Sequence, residues 1–152
     1  SKKRHMRKHE NICVFYAKQT TFNRQFSRGK PYKMKGKLVQ PGNKIYGSKN
    51  DRAKPLKRST IDNKGFRSPT TILEYKAIHN TKKLHPSEKP LELLQYLIKT
   101  YSNEGETILD FTMGSGSAGV AAKLLNRDFI GIEKNYDYFN AAKKRIDNTE
   151  II

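Results

Sequence analysis

The chain has 152 residues, of which 35% are apolar and 30% charged, enough for about one domain with an appendage but not for a second full core. Its formal net charge of +17 lies far outside the roughly 2 to 8 units usual for a small soluble domain and points to a polyanionic partner. The apolar runs are far shorter than the roughly 20 residues of a membrane span, no hydrophobic signal segment is visible, and the single cysteine, Cys13, excludes an internal disulfide and a cysteine-rich zinc site, so a cytoplasmic protein is expected.

The chain opens on a basic run, Ser1-Lys-Lys-Arg-His-Met-Arg-Lys8, that leads straight into apolar sequence, as in a chain starting partway through a larger protein. A trimmed tag or a removed methionine gives the same start. Asn11-Ile-Cys-Val-Phe-Tyr16 then predicts a buried strand of apolar and β-branched residues, with Cys13 inside it. His9, just before it, has no second metal ligand at a suitable spacing and reads as structural or phosphate-facing.

From Asn23 to Lys83 the reading is loop-rich, because Gly29, Gly36, Gly42, Gly47 and Gly65 with Pro31, Pro41, Pro55 and Pro69 interrupt any long period. Residues 1–83 hold 23 Lys and Arg against 4 Asp and Glu, while residues 84–152 hold 8 against 10, so the first part carries the whole positive excess. The candidate phosphate contacts are Arg24, Arg28, Lys30, Lys33, Lys35, Lys37, Arg52, Lys54, Lys57 and Arg58. Tyr32, Tyr46 and Phe66 are interleaved with them as candidate stacking rings. A basic linker without structure is the alternative.

The second half alternates regularly. Pro86 and Pro90 lead into a helix with Leu91, Leu94, Leu97, Ile98 and Tyr101 at helical spacing, ending before Gly105. Thr107–Phe111 predicts a strand, Met113–Gly119 a loop, Ala118–Leu125 a helix, Asp128–Glu133 a strand and Asn135–Ile146 a helix. This order implies a βαβ crossover and a parallel sheet, a Rossmann-like half-fold of the α/β class with a basic loop-rich insertion before it.

Gly114-Ser-Gly116-Ser-Ala-Gly119, with Glu133 nineteen residues past Gly114, fits a dinucleotide fingerprint. Asp110, which closes the strand before the glycines, argues instead for S-adenosylmethionine. A carboxylate there repels a pyrophosphate but favours a cationic sulfonium and ammonium. Glu133 can accept bonds from ribose hydroxyls under either reading.

His85-Pro-Ser-Glu-Lys-Pro-Leu91, followed by a helix, Asp110-Phe-Thr-Met-Gly114-Ser-Gly116 and Gly131-Ile-Glu133, resembles the β class of amino-DNA methyltransferases, continuously over residues 85–146. Arg7–Tyr16 also looks like the strand after that family's catalytic loop. The resemblance implies that residues 1–23 form that strand region, 24–83 a target-recognition region and 84–152 the cofactor unit. It implies that His85, Pro86, Ser87, Lys89 and Pro90 close over the methionine end of the cofactor. Asp110, Phe111, Gly114, Ser115 and Gly116 form the main cofactor loop, and Glu133 binds the ribose. On its own, His-Pro-x-x-Lys-Pro is an ordinary start to a helix.

The family's catalytic motif, Asp, Asn or Ser followed by Pro-Pro and an aromatic, is absent, since no two prolines are adjacent. It is expected before Ser1, so no catalytic residue is assigned here, and no metal. The activity implied is methyl transfer to a base amino group, adenine N6 ahead of cytosine N4. The partners implied are double-stranded DNA and either a second copy or a complementing N-terminal fragment. A non-catalytic DNA-binding fragment with a vestigial cofactor fold and an NAD-binding Rossmann protein are the rival readings.

Overall fold

The computed structural model describes residues 9–35, 60–79 and 83–150. The chain divides into two units, residues 24–73 and residues 1–23 with 74–152.

Residues 24–73 are not simply loop. β1 (Ser27–Arg28) pairs antiparallel with β4 (Phe66–Arg67), and β2 (Tyr32–Lys35) with β3 (Thr60–Asn63), in the register Tyr32↔Asn63 to Lys35↔Thr60. The Gly29 amide donates to the Gly65 carbonyl at 2.7 Å and joins the two ladders. The glycines and Pro31 cut the strands into two- and four-residue pieces, too short to show alternation in the sequence.

The other unit contains α1 (Leu91–Tyr101), β5 (Thr107–Asp110), α2 (Ser117–Leu124), β6 (Asp128–Gly131) and α3 (Tyr136–Asp147). β5 and β6 pair in parallel, Thr107↔Asp128 through Asp110↔Gly131, with α2 as the crossover. The α/β, Rossmann-like arrangement expected from the alternation is present. Ile98, Ala121 and Ala122 form the core, and Leu91, Leu94, Ile108, Leu125 and Phe129 pack against it. Asn126, at φ 55°, turns the chain between α2 and β6, a conformation asparagine tolerates.

The end of α1 leaves carbonyls without helical partners, and two distant residues supply donors. Asn23 Nδ2 donates to the carbonyls of Lys99 at 3.1 Å and Ser102 at 3.0 Å, and its amide to Thr100 at 2.7 Å. Arg127 Nη2 donates to the Ser102 carbonyl at 2.9 Å.

Among the described residues, one face of the β5–β6 sheet is covered and the other is not. Ile108 and Phe129 face the helices, whereas Leu109, Phe111, Ile130 and Ile132 are exposed. Parallel sheets normally bury both faces.

Residues Asn11–Tyr16 do not form the expected buried strand. They are irregular, Ile12, Val14, Phe15 and Tyr16 are exposed, and so is Cys13. Apolar sequence becomes a strand only where a neighbour accepts its backbone bonds. Among the described residues, none pairs with this segment. No helix among the described residues is long and apolar enough to cross a membrane.

Candidate cofactor cleft and basic ribbon

A cleft of about 260 Å³ lies where the turn before α1 meets the turn after β5. His85, Ser87, Lys89, Asp110, Gly114 and Ser115 all line it. Pro86, Pro90, Phe111, Gly116 and Glu133, assigned to the same site from sequence, do not.

Asp110 stands at the C-terminal end of β5, where ligands of open α/β sheets gather. Its Oδ1 accepts the Thr112 amide at 3.0 Å, a bond that fixes the carboxylate at the start of the turn. Gly116 then adopts φ 73° as the N-cap of α2, without a side chain capping the helix. A Cβ there would lie 2.9 Å from Ala142 Cβ, so this glycine serves the approach of α3 rather than that of a ligand. Gly114 serves the cleft directly, because the His85 ring occupies the space a side chain would need.

His85 is held on three sides. Its Nδ1 accepts the Ser87 amide at 3.2 Å, its carbonyl accepts the Glu88 amide at 3.0 Å, and its ring meets Tyr138 edge-on at 4.5 Å. Pro90 is the N-cap of α1 and so acts as the helix start that its motif allows on bland grounds. Lys89 pairs with Glu10 at 3.0 Å, an exposed contact that costs little to exchange for another anion.

Glu133 sits outside the cleft but braces it. Its Oε2 accepts the Gly114 amide and its Oε1 the Asn135 amide, each at 2.9 Å. The Asn135 amide, ahead of an opposing desolvation, then the Gly114 amide and His85, holds this carboxyl below the usual range. Phe111 is exposed at the foot of the open sheet face.

Sequence reasoning missed Glu88, Ser117, Arg145 and Tyr138. Glu88 lies in a variable position of the His-Pro-x-x-Lys-Pro run, yet it is buried. Its Oε1 accepts from Arg145 Nη1 at 2.7 Å and from Ser117 Oγ at 3.2 Å, and its Oε2 accepts the Leu84 amide at 2.8 Å. A charged residue within an otherwise rigid turn was the one available signal.

In the 24–73 unit, Arg24, Arg28, Lys30 and Lys33 are exposed. Arg28 lies over the Phe66 ring at 4.5 Å and Arg24 over Phe26 at 5.7 Å, while Lys33 pairs with Asp62 at 3.6 Å. Arg67, not singled out from sequence, covers Tyr32 at 4.9 Å and ties the ribbon through Asn63 Oδ1 and the Lys30 carbonyl. The expected stacking rings Tyr32 and Phe66 thus already carry guanidinium partners. Lys35 lies on β2. Lys37, Arg52, Lys54, Lys57, Arg58 and Tyr46 lie outside the described residues. Among the described residues, no cluster of His, Cys, Asp and Glu is arranged to hold a metal ion.

The N6/N4-type family described as DNA methylase matches residues 1–144. The type II methyltransferase M.HpaI of Haemophilus parainfluenzae is 36% identical over 92 residues, 59% of this chain and 29% of that protein. M2.DpnII of Streptococcus pneumoniae is 46% identical over 63 residues, 41% of this chain and 24% of that protein. The chain therefore spans less than a third of the length of these curated relatives. Among solved structures, the M1.HpyAVI–SAM complex is 35% identical, covering 58% of this chain and 48% of that one, with a TM-score of 0.45.

Proposed function

The chain belongs to the N6/N4 DNA methylase family, and from that premise we propose that it is the cofactor-binding and DNA-contacting part of a methyltransferase acting on an exocyclic amino group of a DNA base. The cofactor is S-adenosylmethionine, and adenine N6 is the acceptor ahead of cytosine N4. The observation that carries this reading is the Asp110 carboxylate on the wall of a cleft shared by the His85–Lys89 turn and the glycine turn. A sulfonium and an ammonium suit that carboxylate, whereas a dinucleotide pyrophosphate does not.

When bound, S-adenosylmethionine supplies a methyl group already activated by its sulfonium, so the chain's task is to hold and orient. Asp110 faces the positive end. Lys89 exchanges Glu10 for the ligand carboxylate, and the uncapped start of α2 meets the same group. His85, Ser87 and Ser115 complete the wall. Glu133, already bonded once on each oxygen, retains lone pairs for ribose hydroxyls.

Arg24, Arg28, Lys30 and Lys33 would meet the phosphates of double-stranded DNA, and Lys37, Arg52, Lys54, Lys57 and Arg58 add to the positive charge of the same stretch of sequence. The Pro-Pro-aromatic motif that would grip an extruded base is missing from all 152 residues. This chain alone is therefore expected to bind the cofactor weakly and not to methylate DNA, in the cytoplasm. A polypeptide carrying the motif, joined to it or complementing it, restores turnover.

Calorimetry with S-adenosylmethionine, S-adenosylhomocysteine and NAD on the wild type and Asp110→Ala tests the cofactor assignment. The wild type should bind the first two and not NAD, and Asp110→Ala should weaken S-adenosylmethionine about tenfold. NAD binding that tolerates Asp110→Asn would overturn it.

A further inference from the structure

Two walls of the cleft and the neighbouring helix α3 meet at one buried carboxylate. The Glu88 side chain is only 4% exposed, and Arg145, 57 positions away in the last turn of α3, reaches it with one guanidinium nitrogen at 2.7 Å. The same Nη1 lies 3.2 Å from the Ser115 carbonyl and 3.2 Å from Ser117 Oγ, and the two serine hydroxyls lie 3.0 Å apart. Glu88 Oε2, in turn, closes the 84–88 turn through the Leu84 amide. One ion pair thus ties the turn bearing His85, Ser87 and Lys89 to the glycine turn and to α3.

A buried ion pair is a poor way to gain stability, because desolvation offsets the attraction; its use is to specify a single geometry. Every group around this pair belongs to, or adjoins, the cleft wall. We propose that Glu88 and Arg145 are positioning residues for the cofactor cleft, setting the His85–Lys89 turn in register with Asp110 and Ser115. This rests on the cofactor reading above. Glu88 and Ser117 also line the cleft, whereas Arg145 does not; the positioning role rests on the backbone that the pair holds, at the Leu84 amide and the Ser115 carbonyl. Burial pushes the Glu88 carboxyl up, but the Leu84 amide, Arg145 and Ser117 outweigh it and keep the group ionised.

The test compares S-adenosylhomocysteine affinity by calorimetry, well below the melting temperature, in the 152-residue wild type, Glu88→Gln, Arg145→Lys and the double variant. Each single variant should lose about tenfold, the range seen when groups behind a ligand shell are changed, and the double variant little more, because both disrupt one link. Lys123→Met is the structural control: Lys123 Nζ caps the Ile146 and Asp147 carbonyls at 2.9 Å each, so its loss should lower stability without changing affinity. Hydrogen exchange supplies a readout without ligand. Residues 84–90 should lose protection in Arg145→Lys, a conservative change at a partly exposed residue, and not in Lys123→Met.

Equal affinity in the wild type and both single variants overturns the positioning role and leaves the cofactor reading standing. Unchanged exchange at residues 84–90 in Arg145→Lys overturns it whatever binds. A wild type that binds no S-adenosylhomocysteine overturns the cofactor reading, and this inference with it.

Discussion

Glu133 reaches back from the end of β6 to accept the amide of Gly114 at 2.9 Å, so the second strand of the sheet braces the turn that follows the first. The carboxylate therefore has two tasks: shaping the turn and presenting lone pairs to a ribose. Glu133→Gln keeps one acceptor oxygen and Glu133→Ala keeps none. S-adenosylhomocysteine affinity should fall in the order wild type, Glu133→Gln, Glu133→Ala, with rising exchange at residues 112–116. Wild-type affinity in Glu133→Ala would remove Glu133 from both tasks.

Gly105 and Gly116 separate backbone strain from steric overlap. Both have positive φ, 78° and 73°, but a Cβ at Gly105 meets nothing within 4 Å, whereas one at Gly116 lies 2.9 Å from Ala142 Cβ and 3.1 Å from its Cα. Gly105→Ala should cost about 1 to 2 kcal/mol, the left-handed penalty alone. Gly116→Ala adds overpacking against α3, for a total of about 2 to 5 kcal/mol. Urea denaturation of both variants measures the difference; equal losses would mean that α3 yields.

The helices and strands of the 91–147 stretch were legible because each rule agreed with the others. Leu91, Leu94 and Ile98 recur at helical spacing, Thr107–Asp110 and Asp128–Gly131 are short apolar runs, and glycines mark the turn between them. That Asp110 and Gly114 line one cleft was legible because they lie four positions apart in one turn. Glu88 and Arg145 were not, since their meeting depends on how α3 packs, 57 positions along the chain. The 11–16 strand failed for a related reason: periodicity reports that a segment can pair, not that a partner is present. In the ribbon, Arg67 was hidden because its covering of Tyr32 follows from the cross-strand geometry of β1–β4 and β2–β3.

The Glu88 carboxyl is held below its ordinary 4.5, and the sign of the consequence follows. A group with a lowered folded pKa contributes its full stability above the unfolded value and loses it as pH falls through the folded one. At pH 7 the wild type should exceed Glu88→Gln by roughly 3 kcal/mol, the cost of leaving Arg145 without its buried partner. That gap should hold down to about pH 5 and close below 4.5 as Glu88 in the folded state takes up its proton. Thermal melts of both proteins from pH 7 to pH 3 measure it. A gap that widens on acidification would show that the carboxyl is protonated in the folded protein at neutral pH.

The uncovered face of β5 and β6 makes the last prediction. Leu109 is 58% exposed and Ile130 53%, side by side at paired positions of the two strands. With Phe111 and Ile132 they form a continuous apolar strip of the kind that binds hydrophobic dyes or a partner. Threonine has the β-branched shape that a strand favours, kept at Ile130 and introduced at Leu109, and adds a hydroxyl that water can satisfy. Replacing both residues by threonine should reduce dye fluorescence and concentration-dependent aggregation while changing folding stability by less than about 1 kcal/mol, because little burial is lost. If the strip instead packs against other parts of the chain in solution, the double variant will bind as little dye as the wild type and lose several kcal/mol, roughly 2 or more, from its core.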